Sequence, residues 1–146
     1  MDFRYTGRPA CRGGETDYGP KPFTANIPCA LRQDQNFRRA FWTGCRLQMT
    51  LMTIPACGEI GVEMHPDTDQ FIRVEEGQAQ VCMGAFRERL DTTCRLVSGD
   101  ALFVPGGTWH NLRNTCACPL KLTSIYAPPE HPRGTVHRMK ADAEAH

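Results

Sequence analysis

From residue 45 onward the polar and apolar positions fall into short alternating runs. "CRLQMTLMTI" (45–54) places Leu47, Met49 and Leu51 on one side. The runs "QFIRVEE" (70–76), "AQVCMG" (79–84), "TTCRLV" (92–97), "ALFVP" (101–105), "WHNLRN" (109–114) and "LKLTSIYA" (120–127) follow at close spacing. Side chains alternate faces along a strand, so this pattern predicts strands. Gly58, Gly61, Gly77, Gly84, Gly99, Gly106 and Gly107 mark the turns between them. Many short strands with glycine turns predict an all-β sandwich or barrel. No stretch alternates a strand with a long helix, which argues against an α/β fold, and no repeat of fixed period is present.

The pattern weakens on either side. Residues 1 to about 21, rich in Gly and Pro and without periodicity, read as a flexible N-terminal arm. "QDQNFRRAFW" (33–42) reads as a short helix: Asp34 is a candidate N-cap, Phe37, Ala40 and Phe41 share a face, and Gly44 ends it. The tail (128–146) opens with Pro128 and Pro129 and closes with one or two helical turns at "MKADAEA". The chain thus divides into the arm and a single domain over 22–146, with its barrel core at about 44–127.

Composition narrows the function classes. A chain of 146 residues, 40% hydrophobic and 23% charged, is the size and make-up of one globular domain. Lys and Arg total 17 against 16 acidic residues, so no charge excess draws it to nucleic acid or an anionic membrane. No apolar run approaches the ~20 residues of a membrane span, and "MDFRYTGRPACRGG" lacks the apolar core of a signal peptide. The expected location is cytoplasmic. Eight cysteines include no CxxC pair. Cys116-Ala117-Cys118 can bind a soft metal or oxidise; in a reducing compartment most of the eight read as small buried apolar residues.

The chemistry concentrates in two segments. "GDALFVPGGTWHNLRN" (99–114) is a turn, an apolar strand, a Pro-Gly-Gly turn, then a strand opening on Trp-His, where the turn aims the histidine ring. It resembles the second motif of the cupin superfamily, G-x5-P-x-G-x2-H-x3-N, with Gly99, Pro105, Gly107, His110 and Asn114 at every fixed position. The cupin first motif is G-x5-H-x-H-x3,4-E-x6-G. Counted back from Gly77, its glutamate falls on Gln70, its histidines on His65 and Glu63, and its first glycine on Cys57, beside Gly58. The frame is kept, but the ligands read Glu-x-His-x4-Gln. The likeness, closest to small single-domain bacterial cupins, runs over about 22–143. It implies a double-stranded β-helix, the jelly-roll barrel, often as a homodimer.

Glu63 and His65, two apart on a strand, point the same way. With Gln70 on the next strand and His110 from the second motif, four positions converge as the expected metal ligands. Two imidazoles and a carboxylate suit one divalent transition metal: Fe, Mn, Ni or Zn. Gln70, a weak donor, is expected to bind loosely or to orient a metal-bound water, and Glu63 could act as a base if it is not a ligand. The plainer reading leaves these as polar groups at a barrel mouth. Asp67 and Asp69 read as an exposed turn, Asp69 being the alternative ligand at the shorter motif spacing. His131 and His137 read first as solvated tail residues, with folding back over the barrel mouth or a dimer partner as the alternative, and Tyr126 and Trp109 as core or rim aromatics. Arg73 faces out, and Leu51, Ile72, Met83, Phe103 and Leu122 are expected to fill or line the pocket. The functional expectation is a metal-dependent enzyme acting on a small molecule, of isomerase, lyase or dioxygenase type. The alternative is a non-catalytic cupin that binds or senses a metabolite.

Overall fold

The computed structural model describes residues 7–11 and 14–144. These form helix α1 (Ile27–Gln33), strands β1 (Arg38–Thr43), β2 (Gln48–Ile54), β3 (Asp69–Glu76), β4 (Gln78–Gly84), β5 (Thr92–Val97), β6 (Ala101–Val104), β7 (Trp109–Asn114), β8 (Leu120–Ala127) and β9 (Val136–His137), and helix α2 (Lys140–Glu144). Two antiparallel sheets face each other. One has the order β6-β3-β8-β2-β1-β9, the other β5-β4-β7. This is a double-stranded β-helix. Among the described residues no helix is long and apolar enough to cross a membrane.

Strand alternation builds the core. Ile72 and Val74 of β3, Leu122 of β8 and Met52 and Ile54 of β2 face Ala79 and Val81 of β4, Leu96 of β5 and Leu112 of β7. Burying these apolar faces against each other drives the two sheets together. Phe103 departs from the expected pocket lining: β6 turns Leu102 and Val104 inward and leaves Phe103 73% exposed. Leu51 also leaves the pocket, packing with Ala30, Leu31 and Phe41 in a second cluster beneath α1.

The helix expected over 33–42 is not there. Arg38–Thr43 is β1, paired antiparallel with β2 and β9, and the helix lies just before it. Asn26 caps α1 by accepting from the Cys29 N–H at 3.0 Å, and Pro28 sits in its first turn, where a missing N–H costs nothing. Asp34 stands at the other end, accepting from the Asn36 N–H at 2.9 Å. Phe37, Ala40 and Phe41 are all buried, as a helical face would be, because β1 is covered on both faces over its first four residues. The short helix expected in the tail is α2.

Part of the expected arm is anchored. The Asp17 carboxylate accepts from the N–H groups of Gly19, Thr43 and Gly134 and from the Thr43 hydroxyl. Tyr18 stacks on Phe23 with ring centroids 4.5 Å apart. Residues 1–6 and 12–13, also in that arm, lie outside the described residues. The cysteines correct the sequence reading too. Cys11 pairs with Cys29 and Cys116 with Cys118. Cys45, Cys57 and Cys94 are free and exposed, because they sit in turns or on the outer sheet face rather than on inward strand positions.

Candidate metal centre

His110 opens β7, and the Pro105-Gly106-Gly107 turn sets its position. Gly107 has φ +88°, a left-handed conformation that suits glycine. Its N–H donates to the His65 carbonyl at 2.9 Å, so the turn carrying one histidine is fastened to the other. Residues 59–63 run beside β7 through isolated bridges rather than as a full strand. Glu63 and His110 exchange two backbone hydrogen bonds, each 2.9 Å. Directly paired residues project to the same side, and their side chains meet.

Glu63 Oε1 lies 3.3 Å from His110 Nε2 and 3.4 Å from His65 Nε2. The three donor atoms fall within 4.8 Å of one another. Bonds of about 2.1 Å to one ion at tetrahedral or octahedral angles separate neighbouring donors by roughly 3.0–3.4 Å. The group could therefore hold a metal ion.

The far side of each imidazole is tied down. His110 Nδ1 is 3.0 Å from the Thr108 carbonyl, and His65 Nδ1 is 3.1 Å from Glu130 Oε1. Those oxygens only accept, so both Nδ1 atoms carry the proton and both Nε2 atoms face Glu63. Carboxylate or carbonyl support behind a ligating histidine fixes tautomer and ring orientation. Neutral rings so fixed point two lone pairs at a carboxylate oxygen, which is repulsive unless a proton or a metal ion sits among them. His65 Nε2 is buried without a hydrogen-bond partner.

The electrostatics show a proton and a metal ion competing for that place. Burial favours the neutral Glu63 carboxyl, but the His110 and His65 ring nitrogens beside it and the charges of His65 and Arg38 override it and hold the group far below the carboxylate range. Burial would likewise lower His65, yet Glu63 and Glu130 on its two sides raise it above its ordinary value. Glu63 is thus ionised, which suits a ligand and makes it a weak base.

The family model for the cupin domain, Cupin_2, matches residues 50–126. This chain belongs to the cupin family. It is 52% identical over 129 residues to the uncharacterized protein YrkC of Bacillus subtilis, covering 88% of this chain and 69% of that one. It is 34% identical over 115 residues to protein L612 of Acanthamoeba polyphaga mimivirus, covering 78% and 70%. The crystal structure of BH2720 from Bacillus halodurans superposes with a TM-score of 0.88 at 52% identity, covering 90% of this chain and 99% of that chain.

Within this cupin, Glu63, His65 and His110 come together as the motif frame implies. Gln70 faces inward on β3, its Nε2 donating to Ser124 Oγ at 2.8 Å and its Oε1 buried without a partner. Asp69 is exposed and accepts from the Gly106 N–H at 2.9 Å, which puts it to work bracing the turn. His131 and His137 fold over the barrel mouth. There they line a cavity of about 650 Å³ with Arg38, Glu63, His65 and Glu130. Sequence reasoning missed Arg38 and Glu130 altogether and took Tyr126 for a plain aromatic. Tyr126 is fully buried, its ring 5.7 Å from His65 and 5.1 Å from His131.

Proposed function

We propose that this cupin is a metal-dependent enzyme acting on a small metabolite, with one divalent Fe, Mn, Ni or Zn ion held by Glu63, His65 and His110. The observation that carries the reading is the pair of anchored imidazoles aiming both Nε2 atoms at Glu63 Oε1, at 3.4 and 3.3 Å. A bound metal of this class supplies Lewis acidity, or redox chemistry if it is iron or manganese. Glu63 contributes the anionic donor. Glu130 keeps the His65 lone pair turned inward, and the Thr108 carbonyl does the same for His110. Gln70 Oε1, buried and unpartnered, supports a role in orienting a water at the centre. The cavity at the barrel mouth gives a small molecule access to the Glu63 and His65 side of the group.

Metal analysis of tag-free protein tests the reading. About one equivalent of a divalent transition metal is expected, and it should be lost in His65→Ala and His110→Ala. Full metal content in both variants would sink the assignment. Oxygen uptake against thiols, diketones and phenols then separates dioxygenase from redox-neutral chemistry. We also propose that the chain forms a homodimer through the apolar face carrying Phe71, Phe103 and Ile125.

A further inference from the structure

Two arginines stand side by side on β1, and both are buried, Arg38 at 4% and Arg39 at 0% exposure. Arg39 is matched: its Nη1 lies 3.3 Å from Asp34 Oδ2 and its Nη2 donates to the Thr16 carbonyl at 2.9 Å. The other buried cation nearby, Lys121, donates to the Asp34 carbonyl and the Thr53 hydroxyl. Arg38 differs. Among the described residues it has no carboxylate within ion-pair distance. Its Nη1 reaches His137 Nδ1 only at 3.5 Å, and its Nε is buried with no hydrogen-bond partner. A buried charge without a counter-charge is costly, and here it lines the cavity that opens onto Glu63 and His65.

Two further polar groups stand close to Arg38. His131 lines the cavity with its Nε2 buried and without a hydrogen-bond partner, and the fully buried Tyr126, its ring 5.1 Å from that of His131, holds its hydroxyl toward Arg38 and Ser124. The charge of Arg38 is felt at Glu63, Tyr126 and His131 alike, so the four groups share one electrostatic environment. The carboxylates of the cavity are already engaged: Glu63 and Glu130 with His65, and Glu144 with Lys140. Among the described residues, none of these carboxylates stands within ion-pair distance of Arg38.

We propose that Arg38, Tyr126 and His131 form an anion subsite that takes the carboxylate of the substrate, leaving the rest of a small carboxylic acid to reach the Glu63–His65–His110 centre. A planar guanidinium matches a carboxylate in shape as well as charge, and the tyrosine hydroxyl adds a donor beside it. The inference rests on that centre as the reactive end of the pocket, but the subsite itself needs no metal.

It can therefore be tested in protein stripped with EDTA. Ligand-observed NMR is run with acetate, with acetamide as its uncharged analogue, and with inorganic phosphate. Acetate should bind and acetamide should not. Arg38→Gln should weaken acetate at least tenfold. Tyr126→Phe, which keeps the ring, should weaken it several-fold and decides the matter if Arg38→Gln does not fold. Acetate binding that is absent, or unchanged in the folded variants, overturns the subsite. Phosphate binding with acetate silent overturns its assignment to carboxylates. Metal content separates the two readings. Arg38→Gln should keep its equivalent of metal while losing acetate, and His110→Ala should lose metal while keeping acetate.

Discussion

His65 is gripped on both ring nitrogens by carboxylates, Glu63 on one side and Glu130 on the other. That arrangement makes its proton a competitor of any metal. Below its raised pKa the ring is charged and cannot ligate; above it the lone pair is free. Metal affinity should therefore climb with pH, by up to about tenfold per unit for one displaced proton, and level off once pH passes that pKa. Glu130→Gln should change both parts of the curve. Removing one of the carboxylates that raise His65 moves the plateau to lower pH. Losing the anchor behind the ring lowers the plateau by roughly 10–100-fold. Calorimetric titrations from pH 5.5 to 8.5 read both, and a flat profile in the wild type would contradict the argument. At this scale the motif spacing located Glu63, His65 and His110 because each holds a fixed position within one of the two motifs, and the Glu63–His110 bridge then joins the motifs. Arg38, Glu130 and Tyr126 carried no such signal. Arg38 precedes the first motif and Glu130 follows the last long strand, and only the return of the tail over the mouth brings them together.

Among the elements, the last position of the second motif acts on structure rather than chemistry. Asn114 ends β7 with its amide nitrogen within 3.1 Å of the carbonyls of Ile54, Pro55 and Cys118, while its Oδ1 accepts from the Cys116 N–H at 2.8 Å. It stitches the end of β2 to the Cys116–Cys118 turn. Asn114→Ala should destabilise the fold by roughly 1–3 kcal/mol, the scale for a buried polar group whose partners are left unsatisfied. Urea unfolding measures this, and a change under about 0.5 kcal/mol, the range of an ordinary surface substitution, would show that the turn holds without it. The strands were legible wherever one face is buried and the other wet, as in β3, where Gln70, Ile72 and Val74 alternate with exposed or half-buried neighbours. β1 was not. Its first four residues are all buried, so alternation vanishes, and the spacing of Phe37, Ala40 and Phe41 imitates a helix face.

For the whole molecule, the two-sheet barrel followed from the strand pattern and the motif likeness together, because short glycine-bounded strands can bury their faces only against one another. What the pattern left open is how the outside is covered. Phe71 and Phe103 meet with ring centroids 5.1 Å apart on the outer face, and Phe103 is largely exposed. A second copy would remove that apolar surface from water. Light scattering should give about twice the 16.4 kDa chain mass for the wild type and the single-chain mass for Phe103→Glu. The same mass in both would place any interface elsewhere. The central claim, that a Glu-His-His group inside the barrel holds one metal ion, is tested most directly by calorimetric titration of metal-free protein with Zn²⁺, wild type against Glu63→Gln. One ion per chain is expected, with Glu63→Gln weaker by more than the roughly 10–100-fold typical of an outer-shell residue; no binding to the wild type, or equal affinity in both proteins, would contradict it.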